Sequence, residues 1–313
     1  SFGYPNTPWT NAGSIENKGL EVELGFRESI RDFNFSIDAN LFTFKNKVVS
    51  LGGGEPINGS THLGNMTHTR TEVGKPIGYF YGWKTDGIFQ TQAEIDAYAN
   101  SEGQLIQPTS QPGDLKFQDV NGMDENGNIT EGPDGKLNDA DRVMVGNPFP
   151  DFTYGVTLAA EYKGFDISLF FQGSVGNDIL NILKYDIRSG AGWYNAPDDM
   201  LDIAWNGSGT TNDQFAISAN SRQNLQMSDW YVENGSYIRL KNVQLGYTIP
   251  QTVLKGLNDH SIRVWVGGQN LFTVTDYSGL DPEIGSSDPK FMGIDQGFYP
   301  QARIFMMGIN AAF

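Results

Sequence analysis

The feature that most narrows the fold is a period-two alternation of apolar and polar residues, which puts one set of side chains on each face of a strand. Leu20, Val22, Leu24 and Phe26 alternate with Glu21, Glu23 and Arg27. Phe33, Phe35, Ile37, Ala39 and Leu41 alternate with Asn34, Ser36, Asp38 and Asn40. Tyr154, Val156, Leu158, Ala160 and Tyr162 then lead through Lys163 and Gly164 into Phe165, Ile167, Leu169 and Phe171, which reads as a hairpin. Two further series follow, Val243, Leu245, Tyr247, Ile249 and then Ile262, Val264, Val266. Phe305, Met307, Ile309, Ala311 and Phe313 make the last one.

Alternation alone also describes a soluble antiparallel sheet with one wet face. The connections separate the two cases. Short links at Glu28 to Asp32, Lys163 to Gly164 and Pro250 to His260 alternate with excursions over 45–151, 174–235 and 273–299. Compact soluble domains seldom carry loops of that length. Short turns on one rim and long loops on the other describe an all-β, transmembrane antiparallel barrel of the outer-membrane type. Provided 45–151 is a single excursion or hides an even number of strands, the count is seven. Seven strands cannot close such a barrel, whose edges would stand unpaired in lipid, so the chain is expected to be part of a larger sheet. The apolar residues of each strand would face lipid and their polar neighbours the lumen. Tyr247 and Phe272, near strand ends, fit an aromatic girdle.

Composition excludes several functions. The chain has 21 basic and 37 acidic residues and a net charge of −16, which argues against a nucleic-acid partner. With no cysteine, thiolate metal sites and cysteine nucleophiles are ruled out. No run reaches the roughly 18 to 20 apolar residues of a spanning helix. Its 38 Gly and 20 Phe, with polar interleaving, suit long strands and loops better than helices. Only His62, His68 and His260 are available as imidazoles, none at metal-ligand spacing, and neither a GxSxG elbow nor a phosphate loop with Lys is present. The expectation is no enzyme.

The stretch DVNGMDENGNITEGPDGKLNDADR, Asp119 to Arg142, looks like an interrupted calcium loop. Calcium takes six to eight oxygens, and a loop supplies them at alternate positions around a glycine that makes the sharp turn. With 123–133 treated as an insertion, Asp119, Asn121, Asp134, Gly135, the Lys136 carbonyl, Asn138 and Asp141 fall at positions 1, 3, 5, 6, 7, 9 and 12. Position 12 is Asp rather than the longer Glu, and Asp124, Asn126 and Asn128 in the insertion are further oxygens. Neither flank is helical in pattern, which sets aside an EF-hand sensor. A solvated acidic loop is the other reading. Trp193, Tyr194 and Trp205, in the 174–235 excursion, are candidate substrate-binding aromatics, because exposed rings can stack on sugar faces or peptide side chains.

Six blocks in order resemble one family: NAGSIENKGLEVEL (11–24), GKPIGYFYGWKTDGIFQ (74–90), VGNPFPDFTYG (145–155), DWYVENGSYIRLKNVQLGYTIP (229–250), NLFTVTDYSGLDPEI (270–284) and ARIFMMGINAAF (302–313). They resemble the carboxy-terminal part of the SusC/RagA-type, TonB-linked outer-membrane proteins of the Bacteroidetes. The resemblance implies that residues 1–313 are the last seven or so strands of a 22-stranded barrel with long extracellular loops. The plug domain would lie outside this chain. It implies import of glycan or peptide fragments across the outer membrane of a Gram-negative bacterium, with a SusD-like surface lipoprotein as lid and energy from the TonB complex through the missing amino-terminal part. Relatives carry an uninterrupted version of the acidic loop, and possible Ca2+ there is the sole cofactor expectation. Phe305 and the terminal Phe313 look like the signal for barrel insertion. A surface glycan receptor or adhesin that binds without transporting is the alternative function.

Overall fold

The computed structural model describes residues 13–60, 67–124, 128–190, 194–217, 223–253 and 261–312. In chain order the strands are β1 (Ser14–Ile30), β2 (Phe33–Ser50), β3 (Ile57–Ser60), β4 (Thr67–Thr71), β5 (Tyr79–Trp83), β6 (Thr85–Ile88), β7 (Leu115–Phe117) and β8 (Arg142–Gly146). β9 (Phe152–Tyr162), β10 (Phe165–Val175), β11 (Asp178–Asn181), β12 (Val232–Asn234), β13 (Tyr237–Thr248), β14 (Ser261–Thr275), β15 (Ile294–Asp295) and β16 (Ile304–Ala312) follow. Three short helices are α1 (Gln92–Ala97), α2 (Ile182–Arg188) and α3 (Met200–Ile203). Among the described residues no helix is long and apolar enough to cross a membrane.

Seven strands form one antiparallel sheet in the order β1, β2, β9, β10, β13, β14, β16. Each neighbour in that row is also the next of the seven along the chain, so the connections alternate between the two rims. One rim carries the turn at Arg31–Asp32, the turn at Lys163–Gly164 and the β13–β14 link; the other carries all three long excursions. β2 pairs directly with β9 from Phe33↔Tyr162 to Thr43↔Phe152. The first excursion is therefore a single one, and its own strands lie in two small separate sheets. Lys163 and Gly164 both have positive φ (48° and 87°), the geometry of the two-residue turn whose twist matches that of its flanking strands.

The strands run longer than the apolar alternation indicates. β1 and β2 stay paired as far as Ser14↔Ser50, so the first link is only Arg31–Asp32 and the first excursion begins after Ser50 rather than at 45. The second lies between Val175 and Tyr237 rather than over 174–235, and the third between Thr275 and Ile304 rather than over 273–299. The added residues, such as Lys45, Asn46 and Lys47, are polar on both faces, so pairing continues where no apolar stripe marks it.

The apolar side of the sheet is its outside. Phe26↔Ile37, Ile37↔Leu158, Leu158↔Leu169 and Leu169↔Val243 put one apolar row across five strands. Within the seven-stranded sheet Leu24 of β1 is 69% exposed and Met307 of β16 86%, whereas most buried hydrophobic residues lie in the excursions. In a soluble sandwich this pattern would be inverted, since each such side chain left in water forgoes about 1.5–3 kcal/mol. Phe33, Tyr162, Phe165 and Tyr247 lie opposite one another next to the tight turns, with the Phe165 and Tyr247 rings 4.5 Å apart. This is an aromatic belt at the short-turn edge of the apolar band, and Tyr247 belongs to it.

Among the described residues the main core joins all three excursions. Phe80 comes from the first, Leu180, Ile182, Met227 and Tyr231 from the second, and Ile294 from the third. β11 pairs with β12 and, in parallel, with β15, so the second and third excursions share a sheet. A second cluster joins Ile88, Leu115 and Phe117 to Phe215.

Candidate functional site

The acidic loop hangs between β7 and β8 and folds by satisfying backbone amides with carboxylates. Asp119 accepts from the N–H of Asp134 (3.1 Å) and of Gly135 (2.7 Å). Asp141, fully buried, accepts from Val120, Asn121 and Asn138 at 2.8–2.9 Å. Both sets of bonds reach across the insertion. The insertion itself leaves the loop as a small hairpin: Met123 bridges Ile129, Asp124 N–H donates to the Asn128 carbonyl, and Thr130 N–H donates to that of Gly122. Asn126 lies outside the described residues. Expelling 123–133 in this way brings the positions numbered 1 to 4 next to those numbered 5 to 12. Gly135 sits at the sixth position with φ +83°, and a Cβ there would lie 2.6 Å from that of Asn100, so a glycine is required.

The two buried carboxylates point at amides rather than at one another, and among the described residues no three acidic or imidazole side chains converge on a common point. Asp134 accepts from Lys136 N–H and Asn138 from Ala140 N–H in local turns, and the Asn121 amide donates to Glu131 at 3.5 Å. Burial pushes the Asp119 carboxyl above its ordinary pKa; the amides of Gly135 and Asp134 oppose that, and the charges of Asp141 and Asp134 add to it. Lys136 contributes only its carbonyl to the series. Leu137 packs against the Ile88–Phe215 cluster and ties the loop to the shared core.

The candidate aromatics separate. Tyr194 is 64% exposed. Trp205 is half-buried, packs on the same cluster, and donates its indole N–H to Gln90 Oε1 at 2.9 Å, so its ring is part of the loop's own packing. Trp193 lies outside the described residues, as do Phe313, His62 and His260. Phe305 stands 78% exposed on the apolar face of β16, in line with Gly268 of β14.

Sequence reasoning did not single out Trp230. Its ring lies 4.7 Å from Phe215 and 4.8 Å from Tyr231, and its indole N–H donates to the Asp213 carbonyl. The Lys184 ammonium sits 3.9 Å above the ring, donates to the Trp230 carbonyl at 2.7 Å, and pairs with Glu233 at 3.5 Å. Burial draws the Lys184 pKa down, while Glu233 supports its charge. Next to the barrel, Arg239 of β13 holds Asp281 at 2.6 Å and Glu283 at 2.8 Å, clamping the third excursion to the wall.

A lipid-facing apolar band with an aromatic belt, tight turns on one rim and a consolidated loop assembly on the other define a wall segment of an outer-membrane β-barrel. Comparison with known proteins gives the family. TonB-dependent receptor P3 of Formosa agariphila is 35% identical over 97% of this chain, which spans 29% of that protein. TonB-dependent receptor SusC of Bacteroides thetaiotaomicron is 27% identical over 97% of the chain and 27% of its own length. The solved RagAB peptide transporter superposes with a TM-score of 0.69 at 25% identity over 95% of this chain and 29% of that one. No family model matches. The chain is homologous to the SusC/RagA-type, TonB-linked outer-membrane proteins and spans under a third of the length of these relatives. Its place is the outer membrane.

Proposed function

We propose that this chain supplies wall strands and external loops to a TonB-dependent importer of glycan or peptide fragments. Polar residues of the strands line its lumen. The rim with tight turns faces the periplasm and the rim with excursions faces outward, as in barrels whose periplasmic turns are short. A SusD-like lipoprotein closes over the excursions as a lid, and the plug that TonB displaces belongs to the amino-terminal portion. The observation that supports this reading is the shared core of the three excursions, Phe80 with Leu180 and Ile294, which makes them one rigid surface above the barrel mouth. The test is deletion of the full-length gene. Growth on one cargo class, polysaccharide or protein hydrolysate, should be lost and return with the gene. Unchanged growth with lost cell-surface binding would instead identify a receptor that does not transport.

In the same reading the 119–141 loop binds calcium and is held in shape by it. The donor set supports this: Asp119, Asn121, Asp134, Asn138, Asp141 and the Lys136 carbonyl are all oxygen ligands, and the left-handed Gly135 makes the turn such loops need. Two like charges already push on Asp119, which a divalent cation would relieve. Outside the cell, where calcium is abundant, weak affinity is sufficient. Calorimetry on the full-length protein checks it, and absence of binding at millimolar calcium refutes it.

A further inference from the structure

A groove of about 560 Å³ runs along β14 on the outer, apolar face of the sheet. It exists because side-chain length changes from strand to strand. Val264 and Val266 make its floor; Tyr247 and Leu245 stand opposite them on β13, and Ile309 and Met307 on β16. Short side chains thus lie between two rows of longer ones, and the strands on both sides of the floor belong to this chain. Gly268 continues the floor, where a Cβ would fall 2.8 Å from the Leu271 side chain, so Leu271 folds over it and closes that end. Asn270, with φ +52° at a break in the β13–β14 register, makes the bend that brings Leu271 back. The groove therefore starts at the aromatic belt, beside Tyr247, and stops at the row of Leu169, Val243 and Gly268. The four-residue step from Val264 to Gly268 is about 13 Å, or about 10 Å along the membrane normal at a tilt of about 40°. That is close to half of an apolar band about 25 Å tall, the depth of one leaflet.

The open end carries a cation. The Lys163 ammonium lies 5.3 Å from the centroid of the Tyr162 ring on the belt, and it has no ion-pair partner among the described residues. Its turn is bonded to the groove wall: Thr248 N–H, next to Tyr247, donates to the Gly164 carbonyl at 2.7 Å, and the Phe165 ring lies 4.5 Å from that of Tyr247. Glu161 and Asp166, on either side of the turn, alternate onto the lumenal face, and Asp166 is held there by Arg263. The outward side of this corner is thus positive, in a chain whose net charge is −16.

We propose that the groove seats one acyl chain of an anionic phospholipid in the leaflet on the short-turn side, with the lipid phosphate at Lys163. A chain lying in the groove touches protein on three sides where one against a flat wall touches it on one, which favours a resident lipid over exchange with the bulk. The groove ends near the midplane, as a single acyl chain does and as a membrane-spanning segment of another protein would not. A cation at headgroup level attracts a negatively charged lipid. The site stands apart from cargo and lid.

The test is native mass spectrometry of the full-length protein released from vesicles of dioleoylphosphatidylglycerol and dioleoylphosphatidylcholine in equal amounts. Val266→Phe fills the groove while keeping an apolar residue toward lipid. The wild type should retain one lipid more than this variant, and that lipid should be phosphatidylglycerol. Lys163→Gln should keep the count, while the preference for phosphatidylglycerol over phosphatidylcholine at this site falls about fivefold, the ratio for about 1 kcal/mol per surface cation. An unchanged heat-modifiable gel shift verifies that the variants fold, and Val264→Leu, a smaller filling, repeats the count if the Phe variant does not insert. Equal lipid counts in the wild type and the groove variants overturn the site, as does phosphatidylcholine retained there as readily as phosphatidylglycerol. Loss of a dimer in Val266→Phe with no lipid lost per barrel would assign the groove to a second copy of the chain and overturn it too.

Discussion

Replacing Leu158 by Arg tests the orientation of the whole wall, and the structure supplies the depth. Tyr162, Phe165 and Tyr247 mark the short-turn edge of the apolar band, lying opposite one another in register. Leu158 is four residues from Tyr162 on β9, and its partner Leu169 is four from Phe165 on β10. At about 3.3 Å per residue that is about 13 Å along the strand, or about 10 Å along the membrane normal at a tilt of about 40°. Half of an apolar band about 25 Å tall is about 12 Å, so the Leu158–Leu169 row sits near the midplane. Val264 pairs with Tyr247 and so lies at the edge. Arg at Leu158 or Leu169 should cost about 2–4 kcal/mol, but at Val264 only about 0–1. Thr157 pairs with Asp38 and Phe170 on the opposite, lumenal face, and Thr157→Arg should cost close to nothing. Equilibrium unfolding of the full-length protein from lipid vesicles measures all four. Equal costs at Leu158 and Val264 would refute the depth, and a cost at Thr157 as large as at Leu158 would refute the assigned faces.

Three further outcomes follow from the excursions. Asp141→Ala strips the acceptor from three amides of the acidic loop and should cost about 2–4 kcal/mol, read as faster limited proteolysis within 119–141. Arg239→Ala leaves buried Asp281 without its cation and should cost about 3–5 kcal/mol, seen as raised hydrogen exchange over 276–284. Asp229 accepts from Thr85 N–H and Oγ1, and burial raises its pKa above the ordinary 3.8. Folding thus favours its neutral form, so its contribution is complete below the unfolded pKa and is lost as pH rises through the higher folded value. Asp229→Asn keeps the acceptor for Thr85 and should flatten the loss of stability that sets in as pH rises above the ordinary carboxylate value; an unchanged slope would refute the assignment.

How far the fold was legible depended on what marked each strand. Period-two stripes such as Leu20 to Phe26 and Phe165 to Phe171 survive because lipid demands apolar residues on one face, and every one of them falls in the seven-stranded sheet. Where β1 and β2 leave the lipid, the demand lapses. Residues 45–47 then pair through the backbone and the Asn46 amide on Asn17, and a Lys-Asn-Lys run that is polar on both faces carries no sign of it. Length was the other signal: single-excursion status for 51–151 follows from β2 meeting β9 residue by residue, which spacing could only pose as a condition.

The site was less legible because its chemistry depends on which groups are already compensated. Trp205 and Trp230 are both tryptophans in one polar excursion, and nothing local tells that the first faces Gln90 and the second carries Lys184 on its ring. Equally, Asp199 and Asp202 are three residues apart, yet the first neutralises Arg188 and the second stands without an ion-pair partner among the described residues. That difference is set by α3, whose single turn directs neighbouring carboxylates to different surroundings, and by α2, whose Arg188 comes eleven residues before Asp199. The acidic loop shows the opposite case. The sequence marks 123–133 as an insertion, and the hairpin whose ends meet at Gly122 and Thr130 lets Asp119 accept from the amides of Asp134 and Gly135 across it. Insertions that close on themselves leave a spaced motif intact, so a broken spacing in a sequence argues against a site only when the inserted residues cannot pair with each other.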